Sequence, residues 1–216
     1  MKSAAPYPFN HLAAVRHLRT TDERMMTLIE RVGRFRLPLD RHVHPMDSLL
    51  SSIVYQQLNG TAASAILERV KAQIGGGEFP TAGQLLAASD EALRATGLSR
   101  QKIAAVRDLA VKTQLGIVPA WVEIENSDDE AIIRRLTEVR GVGVWTVHML
   151  LMFRLGRPDV LPTLDFGVQL GYQLAYRKRR MPKPKELAKA GEKWRPYRSV
   201  ASWYLWQAVR LHRETR

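Results

Sequence analysis

The stretch LTEVRGVGVWTVHMLLMFRLGRPDVLPTLD, residues 136–165, decides the fold, and the rest of the chain is organised around it. It predicts a helix, a turn at Gly141 and Gly143, and a second helix that opens at Val144. An extended loop then leads to Asp165. Glycines at a helix start permit positive φ and leave main-chain N–H groups exposed, which makes a candidate phosphate site. The alternative is an ordinary surface turn between two helices.

The composition bounds the class of protein. The chain has 216 residues, 45% of them hydrophobic, which allows one substantial core or two small lobes. The absence of cysteine excludes disulfides, thiol nucleophiles, cysteine zinc sites and iron–sulfur clusters. No apolar run reaches the length of a membrane span and no signal-peptide pattern opens the chain, so we expect a cytoplasmic protein with no membrane partner.

Charge indicates the kind of partner. Lys and Arg number 33 against 21 Asp and Glu, a formal net charge of +12. Such an excess favours a polyanion, although charge alone is equally consistent with a generically basic protein. The densest basic run comprises Arg177, Lys178, Arg179, Arg180, Lys183 and Lys185. The alternative to a polyanion contact is that this run is only a solvated loop.

Helical periodicity with short loops, and no convincing strand pair, predicts an all-α fold. Ser127 and Glu130 fit an S-x-x-E capping box, so we expect the first helix of the central stretch to begin there. Residues 119–126 are expected to be a linker. His42 and His44 form an isolated H-x-H, which we interpret as non-metal because no third ligand is near in the sequence.

Four motifs resemble one family, the DNA-3-methyladenine glycosylase II (AlkA-like) group of the HhH-GPD superfamily. They are IVYQQLN at 53–59, GLSRQK at 97–102, VRGVGVWTVHM at 139–149 and LPTLDFGVQ at 161–169. Each is moderately specific, and their order and spacing over about residues 45–210 are strong together. Arg140 and Asn59 depart from the pattern, because the family usually has Pro and Ser at these positions.

The resemblance implies a fold and a division of the chain. The expected fold is a single HhH-GPD catalytic unit over residues 1–216, with two helical lobes flanking a cleft, a helix–hairpin–helix, and no N-terminal mixed α/β domain. Lobe one would span about residues 45–125. Lobe two would combine residues 1–44 with residues 126–216. The resemblance also implies a monomer.

By the same resemblance, Asp165 is the catalytic residue. Breaking an N-glycosidic bond builds positive charge on the deoxyribose, and a nearby carboxylate can stabilise that charge and orient or deprotonate the attacking water. The alternative is that Asp165 only caps the helix that begins at Phe166. Both roles are compatible, because the dipole favours negative charge at a helix start.

Trp145 is the most informative departure from the lyase-type members of the superfamily, which carry a catalytic Lys at this hairpin position. That amine attacks the sugar and forms a Schiff base, which indole cannot do. The expected enzyme is therefore monofunctional. It would leave an abasic site and have no AP-lyase activity.

A cationic alkylated purine would be selected by an electron-rich pocket, through stacking and cation–π contacts worth about 1–3 kcal/mol per ring. The resemblance assigns this pocket to Trp145, Trp206, Met149, Tyr55 and Trp203. For each aromatic ring the alternative is packing in the core.

The base must leave the duplex, and the resemblance makes Gln57 the wedge that fills the gap, with Leu58 beside it. The alternative is that the Gln side chains cap a helix end. DNA phosphates are expected at two sets of residues: Gly141, Gly143 and Val144 on one strand, and Gly97, Ser99 and Lys102 on the other. No cofactor is required, and a structural Na⁺, K⁺ or Mg²⁺ at the carbonyls near Val139 and Gly141 is the one candidate metal.

The expected function is base excision repair of double-stranded DNA, by hydrolytic release of 3-methyladenine and 7-methylguanine, with 1-methyladenine and 3-methylcytosine as further candidates. Its expected location is the cytoplasm, associated with the bacterial nucleoid. The main rival is a non-catalytic helix–hairpin–helix DNA-binding protein, which does not need Asp165. Trp145 and the missing cysteines disfavour a bifunctional oxidised-base glycosylase. A helix-turn-helix transcription factor would not need the aromatic set.

Overall fold

A computed structural model describes residues 7–40 and 44–214, and within those ranges every regular element is helical, which confirms the all-α prediction. The α-helices there are α1 (His11–Thr21), α2 (Glu23–Val32), α3 (Pro45–Tyr55), α4 (Gly60–Ile74), α5 (Ala82–Ala87), α6 (Asp90–Ala95), α7 (Arg100–Gln114), α8 (Trp121–Asn126), α9 (Asp129–Leu136), α10 (Val144–Leu150), α11 (Phe166–Ala175), α12 (Pro184–Gly191) and α13 (Arg198–Glu214). A π-helical turn, Leu151–Leu155, follows α10, and a 3₁₀ turn, Glu192–Trp194, follows α12.

The chain forms two compact units, which are described separately. Unit 1 is Met1–Arg41 with Leu151–Arg216, and unit 2 is His42–Leu150. The first boundary lies between residues 41 and 42, whereas the expected lobes divide at about residue 45. The second differs, because it falls at Leu150 and not near residue 125. Helix α10 packs against α3 as well as α9, so the turn between α9 and α10 groups with unit 2.

The core of unit 1 is built around α13, which packs against α11, α2 and α1. The first half of α13 is buried on every side, since residues 199–205 are all buried, and Ala208 and Val209 continue the buried surface further along. A buried carboxylate, Asp22, caps α2 by accepting the N–H groups of Arg24 and Met25 at 3.1 and 3.2 Å. Its other oxygen accepts bonds from three side chains, those of Tyr176, Lys193 and Trp194. Asp22 therefore connects α2 with the C-terminal part of unit 1.

In unit 2, α7 is the central helix and packs against α3, α5 and α6. Ser99 begins α7 by accepting the N–H of Lys102 at 3.3 Å. The buried face of α7 includes Ile103, Val106 and Leu109. The N–H of Arg140 donates to Asp108 on α7, so the turn between α9 and α10 is attached to this helix.

The structure differs from the sequence analysis at three places. Helix α1 was not predicted, although Asn10 caps it by accepting the N–H of Ala13. The expected linker contains α8. Helix α9 is capped by Asp128, which accepts the N–H of Ala131, and not by a box at Ser127, because the Ser127 hydroxyl bonds back to the Glu123 carbonyl.

His42 lies outside the described residues. His44 caps α3 through Nδ1, which accepts the N–H of Met46 at 3.3 Å. Among the described residues, no group of histidine and carboxylate side chains is arranged to hold a metal ion. In the same ranges, no helix has both the length and the apolar content needed to cross a bilayer.

Candidate functional site

In unit 1, Asp165 stands at the N-terminus of α11, where its Oδ1 accepts the N–H of Val168 at 2.7 Å. The loop before it is fixed from both ends. Asp165 donates its own N–H to the Pro162 carbonyl at 2.9 Å, and the Gln169 amide donates to the Thr163 carbonyl at 2.7 Å. Asp165 therefore does cap the helix, and the cap holds the half-buried carboxylate in one place.

Trp206 on α13 contacts this carboxylate directly, since its indole Nε1 donates to Asp165 Oδ1 at 2.8 Å. The indole stacks on Phe153, with ring centroids 5.7 Å apart and an interplanar angle of 20°. Two N–H donors thus converge on one oxygen of Asp165 and fix its orientation. The structure brings together the predicted catalytic residue and one predicted pocket residue.

Gly167 makes room for this contact. A Cβ at this position would lie 2.8 Å from Trp206 Cδ1, 3.0 Å from Trp206 Nε1 and 3.1 Å from Asp165 Oδ1. Any larger residue would press on both partners of the hydrogen bond. Gly167 was not among the predicted site residues, because a glycine near a helix start is an unremarkable local signal.

Trp203, one turn before Trp206, has a different environment. It is only 8% exposed and packs edge-on against Phe35 and Tyr204, at centroid distances of 5.1 and 4.9 Å. The core-packing alternative therefore describes Trp203.

In unit 2, the hairpin (residues 137–143) joins α9 to α10 as predicted. Gly141 has φ +80°, whereas Gly143 does not need positive φ. A Cβ on Gly143 would meet nothing within 4 Å. The first N–H groups of α10 lack partners within the helix, as at every helix start. These N–H groups are the ones that the predicted phosphate site would use.

Trp145 and Met149 lie on α10, and Trp145 is 45% exposed. Tyr55, the last residue of α3, is also exposed. The core-packing alternative therefore does not describe Trp145 or Tyr55. Exposed aromatic rings of this kind are suited to stacking on a base.

The predicted wedge follows α3. Gln57 has φ +58°, which costs a non-glycine residue on the order of 1 kcal/mol, and Leu58 beside it is exposed. Gln56 does not cap the helix with its side chain, because its Nε2 donates to the Gly141 carbonyl at 2.7 Å. The strained backbone at Gln57 is the type of outlier that clusters at functional sites.

The second predicted phosphate site lies at the start of α7. Gly97 has φ +100°, and a Cβ there would lie 2.8 Å from the Arg69 guanidinium, so the turn requires glycine. Lys102 extends its ammonium to the Val54 carbonyl at 2.6 Å, and burial lowers the pKa of this amine. In this structure Lys102 therefore caps the end of α3.

The basic run of unit 1 is mostly exposed, as expected for a solvated loop. Arg180 forms a two-pronged pair with Glu186, at 2.8 and 2.9 Å, which lowers the pKa of that carboxyl to about 2. Two exposed apolar residues that were not predicted flank the catalytic candidate. They are Leu164 and Phe166, which are 64% and 62% exposed. Their sequence signal is an apolar residue on each side of an Asp at a helix start.

Comparisons with known proteins identify the family of the chain. The HhH-GPD family model, described as HhH-GPD superfamily base excision DNA repair protein, matches residues 50–196. DNA-3-methyladenine glycosylase 1 of Schizosaccharomyces pombe is 36% identical over 196 residues, which cover 90% of this chain and 86% of that protein.

Solved structures give the same result. The Schizosaccharomyces pombe 3-methyladenine DNA glycosylase (Mag1) in complex with abasic DNA matches with a TM-score of 0.79 and 36% identity, over 90% of this chain and 95% of that one. The DNA-3-methyladenine glycosidase of Bacillus halodurans matches with a TM-score of 0.84 and 38% identity, over 93% and 91%. The chain therefore belongs to the HhH-GPD superfamily of base excision DNA repair proteins, as a DNA glycosylase of the 3-methyladenine family.

Proposed function

We propose that this protein is a monofunctional glycosylase that hydrolyses the N-glycosidic bond of alkylated bases in double-stranded DNA, chiefly 3-methyladenine and 7-methylguanine. The observation that carries the proposal is the hydrogen bond between Trp206 Nε1 and Asp165 Oδ1 at 2.8 Å. A carboxylate held by two N–H donors at a helix start is pre-oriented for charge that develops in a transition state.

Asp165 would act on the sugar. As the bond to the base breaks, positive charge grows on the deoxyribose, and a fixed negative charge stabilises it more than it stabilises the ground state. The same carboxylate would orient the attacking water or accept its proton. Alkylated purines suit this chemistry, because their own positive charge makes them good leaving groups.

Unit 2 would supply the DNA contacts. The hairpin amides from Gly141 to Val144 would hold a backbone phosphate, and Gln57 would occupy the gap left by the flipped base. Trp145 and Tyr55 would stack on the base, with Met149 beside them. An indole at position 145 supplies no amine for a Schiff base, which supports hydrolysis without strand cleavage.

The decisive experiment compares the wild type with Asp165→Asn on methylated duplex DNA, with each released base identified by mass. Asn is as good an N-cap as Asp, so the fold should be kept. We expect release to fall by at least about 100-fold while the affinity for an abasic duplex stays within a few-fold. Asp128→Asn, which changes an exposed N-cap in the same way, is the matched control and should behave as wild type. Equal release by wild type and Asp165→Asn would favour the non-catalytic DNA-binding alternative.

A further inference from the structure

The hairpin of unit 2 is held by a main-chain bond that proline could not make. The N–H of Arg140 donates to Asp108 Oδ2 at 2.6 Å, across 32 positions of sequence. Proline has no main-chain N–H, and position 140 is where the related motif usually has proline. The hairpin is therefore attached, at residue 140, to Asp108 on α7.

Lys112 lies one turn further along α7 and reinforces this attachment. Its ammonium is 3.0 Å from Asp108 Oδ2 and also donates to the Glu138 carbonyl. Partial burial alone would raise the pKa of the Asp108 carboxyl, but the bonds from Arg140 and Lys112 outweigh burial and lower it. The ion pair on α7 thus holds the hairpin backbone at residues 138 and 140.

Gln56 provides a third attachment on the next residue, since its Nε2 donates to the Gly141 carbonyl at 2.7 Å. The hairpin also rests directly on α7, because a Cβ on Gly141 would lie 3.4 Å from the Ala105 methyl. Ala105, Asp108 and Lys112 are spaced i, i+3, i+7 and so share one face of α7. That face and the Gln56 amide together contact residues 138, 140 and 141.

These contacts do not fit the structural cation expected near Val139 and Gly141. The Gly141 carbonyl accepts the Gln56 amide, and the Val139 carbonyl accepts the Val142 N–H at 3.0 Å. The neighbouring Glu138 carbonyl already has a fixed ammonium on it. A metal ion at the Gly141 carbonyl would compete with the Gln56 amide for that oxygen and would be repelled by the Lys112 ammonium at the Glu138 carbonyl.

We propose that the side chains of Gln56, Asp108 and Lys112 form a clamp that fixes the hairpin for DNA and takes the place of a resident metal ion. The proposal rests on the proposed function only in that DNA is the ligand of the hairpin. The clamp itself can be measured without DNA, through hydrogen exchange of the amides in residues 138–146.

The first experiment measures that exchange in the full-length protein. Asp108→Ala and Lys112→Met should each speed exchange in residues 138–146 by about tenfold, the usual effect of losing one charge-assisted hydrogen bond. Gln114→Ala, an exposed position at the end of α7, is the control and should leave exchange unchanged. Unchanged hairpin exchange in both clamp variants would overturn the proposal.

Two substitutions at position 140 isolate the contribution of the bond from the Arg140 N–H to Asp108. Arg140→Ala keeps the main-chain N–H and removes only the guanidinium, whereas Arg140→Pro removes the N–H as well. Asp108→Ala should therefore increase exchange less in the Arg140→Pro background than in Arg140→Ala. Equal increases in the two backgrounds would show that Asp108 does not act through this N–H.

The final experiment titrates a duplex containing an abasic-site analogue, in EDTA, with potassium replaced by an equal concentration of tetramethylammonium. The wild-type Kd should stay within about twofold, and Asp108→Ala should bind about tenfold more weakly in both salts. A tenfold loss of wild-type affinity on removing potassium would overturn the metal-independent clamp. A wild type that binds no DNA in either salt would instead contradict the proposed function and leave the exchange result standing.

Discussion

The indole nitrogen of Trp206 and the Oδ1 atom of Asp165 are 2.8 Å apart, and the Val168 N–H reaches the same oxygen at 2.7 Å. One donor comes from α13 and the other from the first turn of α11. The direction of the carboxylate is therefore set by two elements of unit 1 that pack on each other. Catalysis by Asp165 should be sensitive to changes that leave Asp165 itself intact.

Trp206→Phe should slow base release by about tenfold or more. Phenylalanine can keep the stack on Phe153 but loses the N–H, and a hydrogen bond to a charged group contributes about 1.5–3 kcal/mol. Single-turnover release from methylated duplex DNA measures the effect, with the Kd for an abasic duplex as a second readout. Trp203→Phe is the control: it should lower Tm through a core cavity and leave the rate of the folded protein unchanged.

Gly167→Ala should slow base release as Trp206→Phe does, although neither Trp206 nor Asp165 is substituted. The new methyl group would lie 2.8–3.1 Å from atoms of Trp206 and Asp165, which forces them apart. Gly83→Ala is matched, because Gly83 is also the second residue of a helix and a Cβ there meets only Thr81 Oγ1, at 3.9 Å. If Gly167→Ala releases bases at the wild-type rate, the bond does not position the carboxylate.

Gly143→Ala and Gly141→Ala should separate DNA binding from folding. A methyl group on Gly143 meets no protein atom within 4 Å, so Gly143→Ala should leave Tm unchanged. The methyl group should keep a phosphate away from the hairpin amides, and the affinity for an abasic duplex should therefore fall about tenfold. Gly141 has φ +80°, so alanine there should lower stability by about 1–2 kcal/mol. Thermal melting and fluorescence anisotropy test the pair, and full DNA affinity in Gly143→Ala would contradict a phosphate at that amide.

Borohydride should trap no covalent complex with DNA. Position 145 carries an indole, which cannot form the imine that borohydride reduces. The product strand should stay intact until alkali cleaves it at the abasic site. Denaturing gels of end-labelled duplex, with a bifunctional glycosylase run in parallel, are the measurement. A protein–DNA band that survives denaturation would refute the monofunctional assignment.

Asp22→Asn should lower stability by about 3 kcal/mol, or roughly 10 °C in Tm. Asn keeps the cap of α2, but its amide N–H₂ would face the donors of Tyr176, Trp194 and Lys193. Asp128→Asn, at an exposed N-cap, should cost little.

The same substitution should flatten the dependence of stability on pH. Burial alone would raise the pKa of the Asp22 carboxyl, yet its bonds to Lys193, Tyr176, Trp194 and Met25 bring it below the ordinary value. Stabilisation by the charged form is therefore complete above about pH 4 and is lost as the pH falls through the lower folded pKa. The Tm gap between wild type and Asp22→Asn should narrow below about pH 4, and a gap that widens there would contradict this sign.

Local signals predicted much of the fold. The cap at Asp165, the helical periods and the glycine turn all act within a few residues, so the sequence displays them directly. The start of α9 was misplaced because Ser127 and Asp128 are adjacent capping residues. Only the bond from Ser127 to Glu123, which closes α8, shows which of the two serves the next helix.

The contacts that refine the site are long-range, and for that reason they were not predicted. Trp203 and Trp206 are both aromatic and one turn apart on α13, so periodicity could not show that one faces Phe35 and the other Asp165. The Asp108–Arg140 bond spans 32 residues and leaves no pattern in either segment. Such pairings are decided by how helices pack, which a single sequence does not display.

The two parts of unit 1 are separated in the sequence by unit 2, and this sets the order in which contacts can form during translation. Residues 42–150 are contiguous, so they can form their internal contacts before residues 151–216 are translated. The contacts of Asp22 with Tyr176, Lys193 and Trp194 can form only after those three residues have been translated. Until α13 is made, α1 and α2 can pack on each other, but the apolar residues that α13 covers in the folded protein remain exposed.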